Sequence, residues 1–306
     1  MRIANACGAF LALAGAPVGA APADGGDAVA RGEYVFRAGG CYSCHTDVDG
    51  GGAPLAGGRG LATPLGTFYT PNITPHPEHG IGLWTEQDFV RAMSEGLGPD
   101  GSPYYPSFPY TTYTRMRPAD LRDLWAYLRS VAPAATPNRS HDLPWVLSNR
   151  AVTWGWRWRY FTPGAWTENP ARDAAWNRGA YLAEAMAHCG ECHTPRDRLG
   201  GLDEQRKYAG TAEGPEGGAV PNITPDRETG IGRWRADDVA YLLASGATPS
   251  GDYTGGLMAE VVEHGTRHLT EEDRLAIGRY VLSLPAVHNP VSRKDRKAGK
   301  PRGEFE

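Results

Sequence analysis

Two short stretches decide how this sequence folds: CYSCH at residues 41–45 and CGECH at residues 189–193. In Cys-x-x-Cys-His, two thiols three residues apart lie on one face of a helical turn and can form thioether bonds to one porphyrin edge. The histidine that follows lies under the iron as its proximal ligand. We therefore predict two covalently bound haem c groups, attached to Cys41, Cys44, Cys189 and Cys192 and ligated by His45 and His193.

Structural zinc, disulfides and a redox dithiol are the alternatives for these cysteines. Zinc ribbons pair two Cys-x-x-Cys turns about 15–20 residues apart, whereas Cys41 and Cys189 are 148 residues apart. Two disulfides would not require a histidine after each second cysteine. A redox dithiol needs one such motif, without the trailing histidine. Haem attachment accounts for both histidines.

The N-terminus has the pattern of a secretory signal peptide, which we place at residues 1–20. A basic residue near the start is followed by an apolar run over 3–18 and by small residues at the cleavage site. A buried N-terminal helix is the alternative, but Pro17 disfavours it. Cleavage near Ala20 would remove Cys7, so that only the motif cysteines remain, and it predicts a periplasmic protein.

Charge and hydropathy argue against two other classes of protein. The chain has 31 Lys and Arg against 35 Asp and Glu, a net charge of −4, so we expect no nucleic-acid binding. After the leader, no segment has the ~18 consecutive apolar residues of a membrane span. The tail at 291–306 is polar and provides no anchor. We expect a protein without a membrane span of its own.

The sequence contains an internal duplication. The blocks PNITP and Gly-Ile-Gly-x-Trp both recur 150 residues later, at 71–75, 80–84, 221–225 and 230–234. Repeats at a fixed period indicate repeated structural units. Each haem motif therefore belongs to one copy of a duplicated unit.

Each copy continues with two predicted helices separated by a loop rich in Gly and Pro. The first of the two helices covers residues 86–95 in one copy and residues 236–245 in the other. The closing helices begin near Pro118 and after the N-cap Thr270, with apolar residues at helical spacing. The pattern predicts an all-α fold of two tandem haem domains, whose long Gly/Pro-rich loops wrap a cofactor that supplies much of the core.

We place the first domain at 27–134 and the second at 172–290. The linker between them, 135–171, is rich in aromatic side chains: Trp145, Trp154, Trp156, Trp158, Tyr160, Phe161 and Trp166. Disordered linkers lack such residues, so we expect an ordered segment that packs across both domains. An aromatic belt at a membrane interface is the alternative, although no apolar span adjoins it.

The residue on the far side of each iron decides between electron transfer and catalysis, because a Met ligand raises the potential whereas an open face binds ligands. We predict Met258 for the second haem, in the loop before the closing helix. In the first copy Phe108 falls near that place and cannot ligate iron. We assign Met116, at the end of the same loop. His76 or His79, or an open site, are the alternatives.

Further contacts are expected around each haem. Trp84 and Trp234 end the repeated blocks and are candidates for contacts to the haem propionates, with simple packing as the alternative. Each proximal histidine is expected to donate its other ring nitrogen to a backbone carbonyl, which the sequence does not identify. No other sequence feature marks His188 as a ligand, so we expect it to have a surface or structural role.

The chain resembles the cytochrome c subunits of membrane-bound bacterial alcohol and gluconate dehydrogenases and their shorter dihaem relatives. The resemblance rests on RGEY at 31–34, both haem motifs, both repeated blocks, WNRGAYL at 176–182 and CHTPR at 192–196. It implies two cytochrome-c-like domains, axial His/Met ligation and electron relay. The large subunits typically have three haems and an anchor, whereas this chain has two motifs. Their Pro-x-Met-Pro-Tyr motif reads PSFPY here, at 106–110.

We therefore expect an electron carrier rather than an enzyme. Its donor would be a periplasmic or membrane-bound dehydrogenase, and its acceptor a small cytochrome or a terminal oxidase. The alternative is a dihaem redox enzyme, similar to thiosulfate dehydrogenase or a peroxidase, that binds substrate at the first haem. No cysteine remains to serve as an unusual axial ligand, which argues against an enzyme similar to thiosulfate dehydrogenase. A haem-bearing sensor has no dedicated sequence feature.

Overall fold

Helices provide most of the regular secondary structure between residues 27 and 291, as the apolar periodicity predicts. The computed structural model describes residues 27–291, so the predicted signal peptide, its cleavage near Ala20, Cys7 and nearly all of the polar tail lie outside the described residues. The α-helices within this range are α1 (Ala28–Ala38), α2 (Cys41–His45), α3 (Glu86–Glu95), α4 (Tyr110–Tyr113), α5 (Pro118–Ser130), α6 (Arg150–Tyr160), α7 (Ala174–Tyr181), α8 (Cys189–His193), α9 (Ala236–Ser245), α10 (Gly256–His264) and α11 (Glu271–Leu282).

Short helices of other types complete these elements. A π-helix, Leu182–Met186, continues α7 towards the second haem motif. Three 3₁₀ turns cover Glu204–Arg206, Pro215–Gly217 and Thr266–His268. Among residues 27–291, no helix is both long and apolar enough to cross a membrane.

A small hairpin departs from the all-α prediction. Strands β1 (Gly60–Thr63) and β2 (Gly66–Tyr69) pair antiparallel. Gly66 has a φ of +122°, which only glycine adopts readily at the turn. Thr67 also exchanges two backbone hydrogen bonds with Asp142, at 2.8 and 2.9 Å. The two strands are too short to be distinguished from a loop in the sequence. Their hairpin is extended by the backbone pairing with Asp142, which is distant in the chain.

Local capping sets the ends of the predicted helices. Thr85 and Asp88 form a capping box at the start of α3, and Gly96 ends that helix at a φ of +65°. Thr270 caps α11 by accepting a hydrogen bond from the Asp273 N–H. The observed limits of α3 and α9 agree with the predicted ranges, because each amphipathic run is bounded by a cap and a glycine.

In both repeats, a glycine lets the first and the closing helix approach closely. A Cβ atom on Gly32 of α1 would lie 1.9 Å from the carbonyl oxygen of Asp123 in α5. A Cβ atom on Gly179 of α7 would lie 1.9 Å from the carbonyl oxygen of Ala276 in α11. Any side chain would force these helices apart, so the two repeats share one packing arrangement.

Two tyrosines join the repeats reciprocally. The Tyr34 hydroxyl donates to Asp273 at 2.5 Å and accepts from the N–H of Thr270, at the start of α11. In the opposite direction, the Tyr181 hydroxyl donates to Asp120 and accepts from the N–H of Arg117 at the start of α5. Each repeat thus contributes a tyrosine to the closing helix of the other, which resembles a two-fold interface.

The aromatic segment between the repeats contains the helix α6, which contacts both. Arg150 donates to the Pro103 carbonyl in the first repeat at 2.8 Å. In the second repeat, the Trp156 indole donates to the Leu199 carbonyl at 2.9 Å and the Tyr160 hydroxyl to Asp197 at 2.8 Å. The side chains of Trp145 and Trp158 remain 85% and 87% exposed, so part of this segment faces solvent.

Candidate haem sites

The two haem motifs form matching one-turn helices, α2 and α8. Each follows a residue in the left-handed backbone region, Gly40 with a φ of +60° and His188 with a φ of +40°. The helical turn places the two thiols of each motif on one face, as thioether formation requires. Within residues 27–291, no disulfide joins the motif cysteines.

Each motif histidine is held by the first residue of the repeated PNITP block. His45 Nδ1 donates to the Pro71 carbonyl at 2.8 Å, and His193 Nδ1 to the Pro221 carbonyl at 2.9 Å. These are the carbonyl acceptors that were expected but could not be identified from the sequence. With Nδ1 committed as a donor, Nε2 presents the lone pair that a metal ligand needs.

Electrostatics keeps these groups neutral. Desolvation lowers the pKa of His45 and that of His193 below the usual imidazole value, and the proline carbonyls offset this only in part. Burial raises the pKa of the Cys41 and Cys189 thiols to about 12. A redox dithiol depends on a lowered thiol pKa, so the cysteines do not fit that alternative. Among the described residues, no three His, Cys, Asp or Glu side chains converge as a zinc site requires.

A buried asparagine in each PNITP block orients the segment that holds the histidine. The Asn72 side chain accepts from the N–H and hydroxyl of Thr74 and donates to the carbonyls of Ala134 and Thr136. Asn222 repeats the contact with Thr224 and donates to the carbonyl after α11, at residue 287. The block is therefore fastened to the chain that follows the closing helix.

The side chains around the motifs supply an apolar setting. Cys41 and Cys189 pack against one continuous buried core that includes Ile81, Met116 and Ile231. The partly buried side chains that pack against the same core include Ile73, Trp84, Phe108, Ile223, Trp234 and Met258. Trp84 and Trp234 are half-buried at equivalent places. The backbone N–H of each donates a hydrogen bond to the carbonyl of the isoleucine three residues earlier. Neutral thiols on one helix face, an imidazole with Nε2 available and apolar surroundings together fit a haem c in each repeat.

The predicted axial methionines lie in different settings. Met116 is 3% exposed, in the turn between α4 and α5. Met258 is half-buried and belongs to α10, a helix that was not predicted, rather than to a loop. Phe108 packs against Tyr104 and Tyr113. The apolar residues of α10 share a helical face, but glycines before it obscure the pattern in the sequence.

The alternative ligands of the first haem take part in a local turn. His76 Nδ1 accepts hydrogen bonds from the backbone N–H groups of Glu78 and His79, at 3.2 and 3.1 Å. The rings of His76 and His79 stack with centroids 5.0 Å apart. These contacts account for both histidines as turn residues.

The two motifs lie close to one another in space. His188 Nε2 donates to the carbonyl of Gly39, just before the first motif, at 3.1 Å. Glu191, inside the second motif, accepts from the Thr112 hydroxyl of α4 at 2.6 Å. Burial is the main reason that the pKa of Cys192 rises to about 11, with smaller contributions from the charges of Glu191 and of Cys44 in the first motif. The sequence carried no signal for these contacts, because they join residues far apart in the chain.

Together, the duplicated motifs, the oriented histidines and the apolar core define a protein that binds haem covalently. Known proteins agree with this class. The cytochrome c family model matches residues 29–132. A dihaem c-type cytochrome of Cereibacter sphaeroides is 44% identical over 261 residues, which cover 84% of this chain and 86% of that protein. The chain belongs to the cytochrome c family, and its cofactor is haem c.

Subunits of dehydrogenases are also similar to this chain. The cytochrome c subunit of a quinone alcohol dehydrogenase from Gluconobacter oxydans is 39% identical over 294 residues, 91% of this chain and 60% of that subunit. The cytochrome c subunit of gluconate 2-dehydrogenase from Pantoea cypripedii is 40% identical over 267 residues, 84% of this chain and 60% of the subunit. The resemblance inferred from the motifs is confirmed. The chain spans about three-fifths of the length of these two subunits.

Proposed function

We propose that this cytochrome is a dihaem electron carrier. Each repeat would act as one haem domain, over 27–134 and 172–290, with the segment 135–171 between them. The observation that carries the proposal is the repeated geometry of the histidines: His45 on Pro71 and His193 on Pro221, each directly after a pair of attachment cysteines. Two equivalent sites within one chain favour a relay.

We assign four residues as axial ligands of the two irons: His45 with Met116, and His193 with Met258. The cysteines would hold each porphyrin, and Pro71 and Pro221 would fix the imidazole planes and raise the electron density at the ligating nitrogens. Bound haem supplies reversible one-electron chemistry at iron. The protein's own part is to orient that group, exclude water from it and tune its potential.

The proposed partners follow from the relatives and the chemistry. Cytochrome subunits of alcohol and gluconate dehydrogenases are among the similar proteins, so we propose a periplasmic or membrane-bound dehydrogenase as donor. A small cytochrome or terminal oxidase would be the acceptor. We also propose export to the periplasm, because c-type haem is attached on the outer side of the bacterial cytoplasmic membrane and residues 1–20 have the pattern of a signal peptide. Docking would use a small interface, as transient redox partners do.

Absorption spectra of the purified holoprotein, with and without carbon monoxide, test the proposal. A carrier has two low-spin haems with Met–iron bands, and neither binds the ligand rapidly. Rapid binding at the first haem would instead favour the enzyme alternative, a thiosulfate dehydrogenase- or peroxidase-like site. One haem per chain, measured by pyridine haemochrome, would contradict the relay.

A further inference from the structure

His188, just before the second haem motif, has a backbone conformation that residues with a side chain rarely adopt. Its φ is +40°, and it stands before α8 at the place where Gly40 stands before α2. Glycine adopts left-handed conformations without a steric penalty, whereas a Cβ atom makes them unfavourable. The second repeat thus has a histidine where glycine is the less strained residue. Strain of this kind points to a role for the side chain.

One extra residue in the second repeat accompanies this change. Gly179 follows Gly32 by 147 residues, whereas Cys189 follows Cys41 by 148. The π-helix after α7 absorbs the extra residue, with a 2.7 Å hydrogen bond from the N–H of residue 187 to the carbonyl of residue 182. Single π-helical turns occur frequently at functional sites. Here the turn leads directly to His188.

The His188 imidazole reaches the other repeat. Its Nε2–H donates to the Gly39 carbonyl at 3.1 Å, and its ring meets the Tyr113 ring edge-on, with centroids 5.5 Å apart. The Tyr113 hydroxyl lies 3.5 Å from the same carbonyl oxygen. Gly39 is two residues before Cys41, and His188 is next to Cys189. Covalent bonds and one hydrogen bond therefore connect the first attachment cysteine of one motif to that of the other.

We propose that His188 is a positioning residue for electron exchange between the two haem sites, acting through its hydrogen bond to Gly39 and its contact with Tyr113. The inference rests on the dihaem carrier function proposed above and specifies where the two sites are coupled. The exchange moves one electron: one iron is oxidised from ferrous to ferric while the other is reduced, and no proton or atom is transferred. His188 fixes the separation of α2 and α8 and supplies a bonded path between them.

Two-dimensional exchange NMR of the half-reduced holoprotein measures the rate of this exchange. His188→Gly removes the imidazole and its hydrogen bond to Gly39 but relieves the backbone strain, so the variant should fold with a stability close to that of the wild type. We expect its exchange rate to fall by about fivefold or more, because the bonded path is broken and α2 and α8 are no longer held at a fixed separation. His188→Gln, which restores a side-chain donor, should recover much of the rate.

His268 provides a matched control. Its Nε2 also lies 3.1 Å from a backbone carbonyl, that of Glu263, but within the same segment of the second repeat. His268→Ala should exchange at the wild-type rate. An unchanged rate in His188→Gly, or an equal loss in His268→Ala, would overturn the role of His188 while the carrier function stands. A wild-type protein with one haem, or with no exchange between two, would contradict the carrier function itself.

Discussion

The hydroxyl of Thr74 lies 2.7 Å from the side-chain oxygen of Asn72, and the same distance separates Thr224 from Asn222 in the second repeat. Both asparagines are 2% exposed. Each is the residue after the proline whose carbonyl holds a motif histidine. The asparagines therefore link the packing of the chain to the orientation of the proposed iron ligand.

Replacing either asparagine should affect one haem only. Asn72→Ala removes four side-chain hydrogen bonds, and we expect it to lower the free energy of unfolding by about 2 kcal/mol. It should also shift the reduction potential of the haem in the first repeat, measured by redox titration, because Pro71 is freed to move. Asn222→Ala is the control, since its shift should appear in the other haem. Equal shifts of both potentials in either variant would contradict this assignment.

Two glycines in different surroundings are expected to change the stability in opposite directions when each is replaced by alanine. Gly179→Ala places a methyl group against the Ala276 carbonyl, and should destabilise the protein by about 2 kcal/mol. Gly155→Ala, in the exposed part of α6 with open space around it, should stabilise by up to about 1 kcal/mol, because alanine favours helices. Denaturant unfolding of the holoproteins measures both. A Gly179→Ala protein as stable as the wild type would show that α7 and α11 do not meet as described.

The carboxylate shared by Tyr34 and Arg178 predicts a loss of stability in acid. Burial alone would raise the pKa of Asp273, but the Arg178 hydrogen bonds and charge, with the Tyr34 hydroxyl, lower it below the usual value of 3.8. A carboxyl group whose pKa is lower in the folded state than in the unfolded state stabilises the fold at pH values above its unfolded-state pKa. This contribution should therefore disappear as pH falls below 3.8 and through the folded pKa.

Unfolding free energies measured against pH check this expectation. Asp273→Asn should be less stable than the wild type near neutrality, by about 2 kcal/mol, because Arg178 loses its charged partner. The difference should shrink in acid, where the wild-type carboxylate is protonated. A difference that stays constant from neutral pH to below pH 3.8 would show that the ionised carboxylate contributes nothing.

The axial assignments predict separate spectral changes. Met258→Ala should abolish the Met–iron absorption band of one haem and let that haem bind carbon monoxide. Met116→Ala should do the same at the other haem. Met93→Leu is the matched control, since Met93 is also a buried methionine, 6% exposed on α3. Two intact bands in Met116→Ala would exclude that residue as a ligand and return the first site to its alternatives.

Much of the helical structure could be predicted because its determinants are local. The amphipathic run of α3 is bounded by Thr85 and Gly96, and its limits follow from those residues alone. The hairpin over 60–69 and the helix α10 are among the elements that were not predicted, since each is stabilised by contacts distant in sequence. Met258 therefore lies on a helix rather than in the predicted loop.

The sequence by itself determined the cofactor chemistry, because two thiols and a histidine at this spacing can hold haem in any fold that places them on a helical turn. It also determined the duplication, through blocks that recur at a constant interval. Only the tertiary structure decided which carbonyls orient His45 and His193, which lie 26 and 28 residues away. It alone brought His188 to Gly39 across 149 residues. Such contacts depend on how the two repeats pack against each other, and no local pattern in the chain encodes that arrangement.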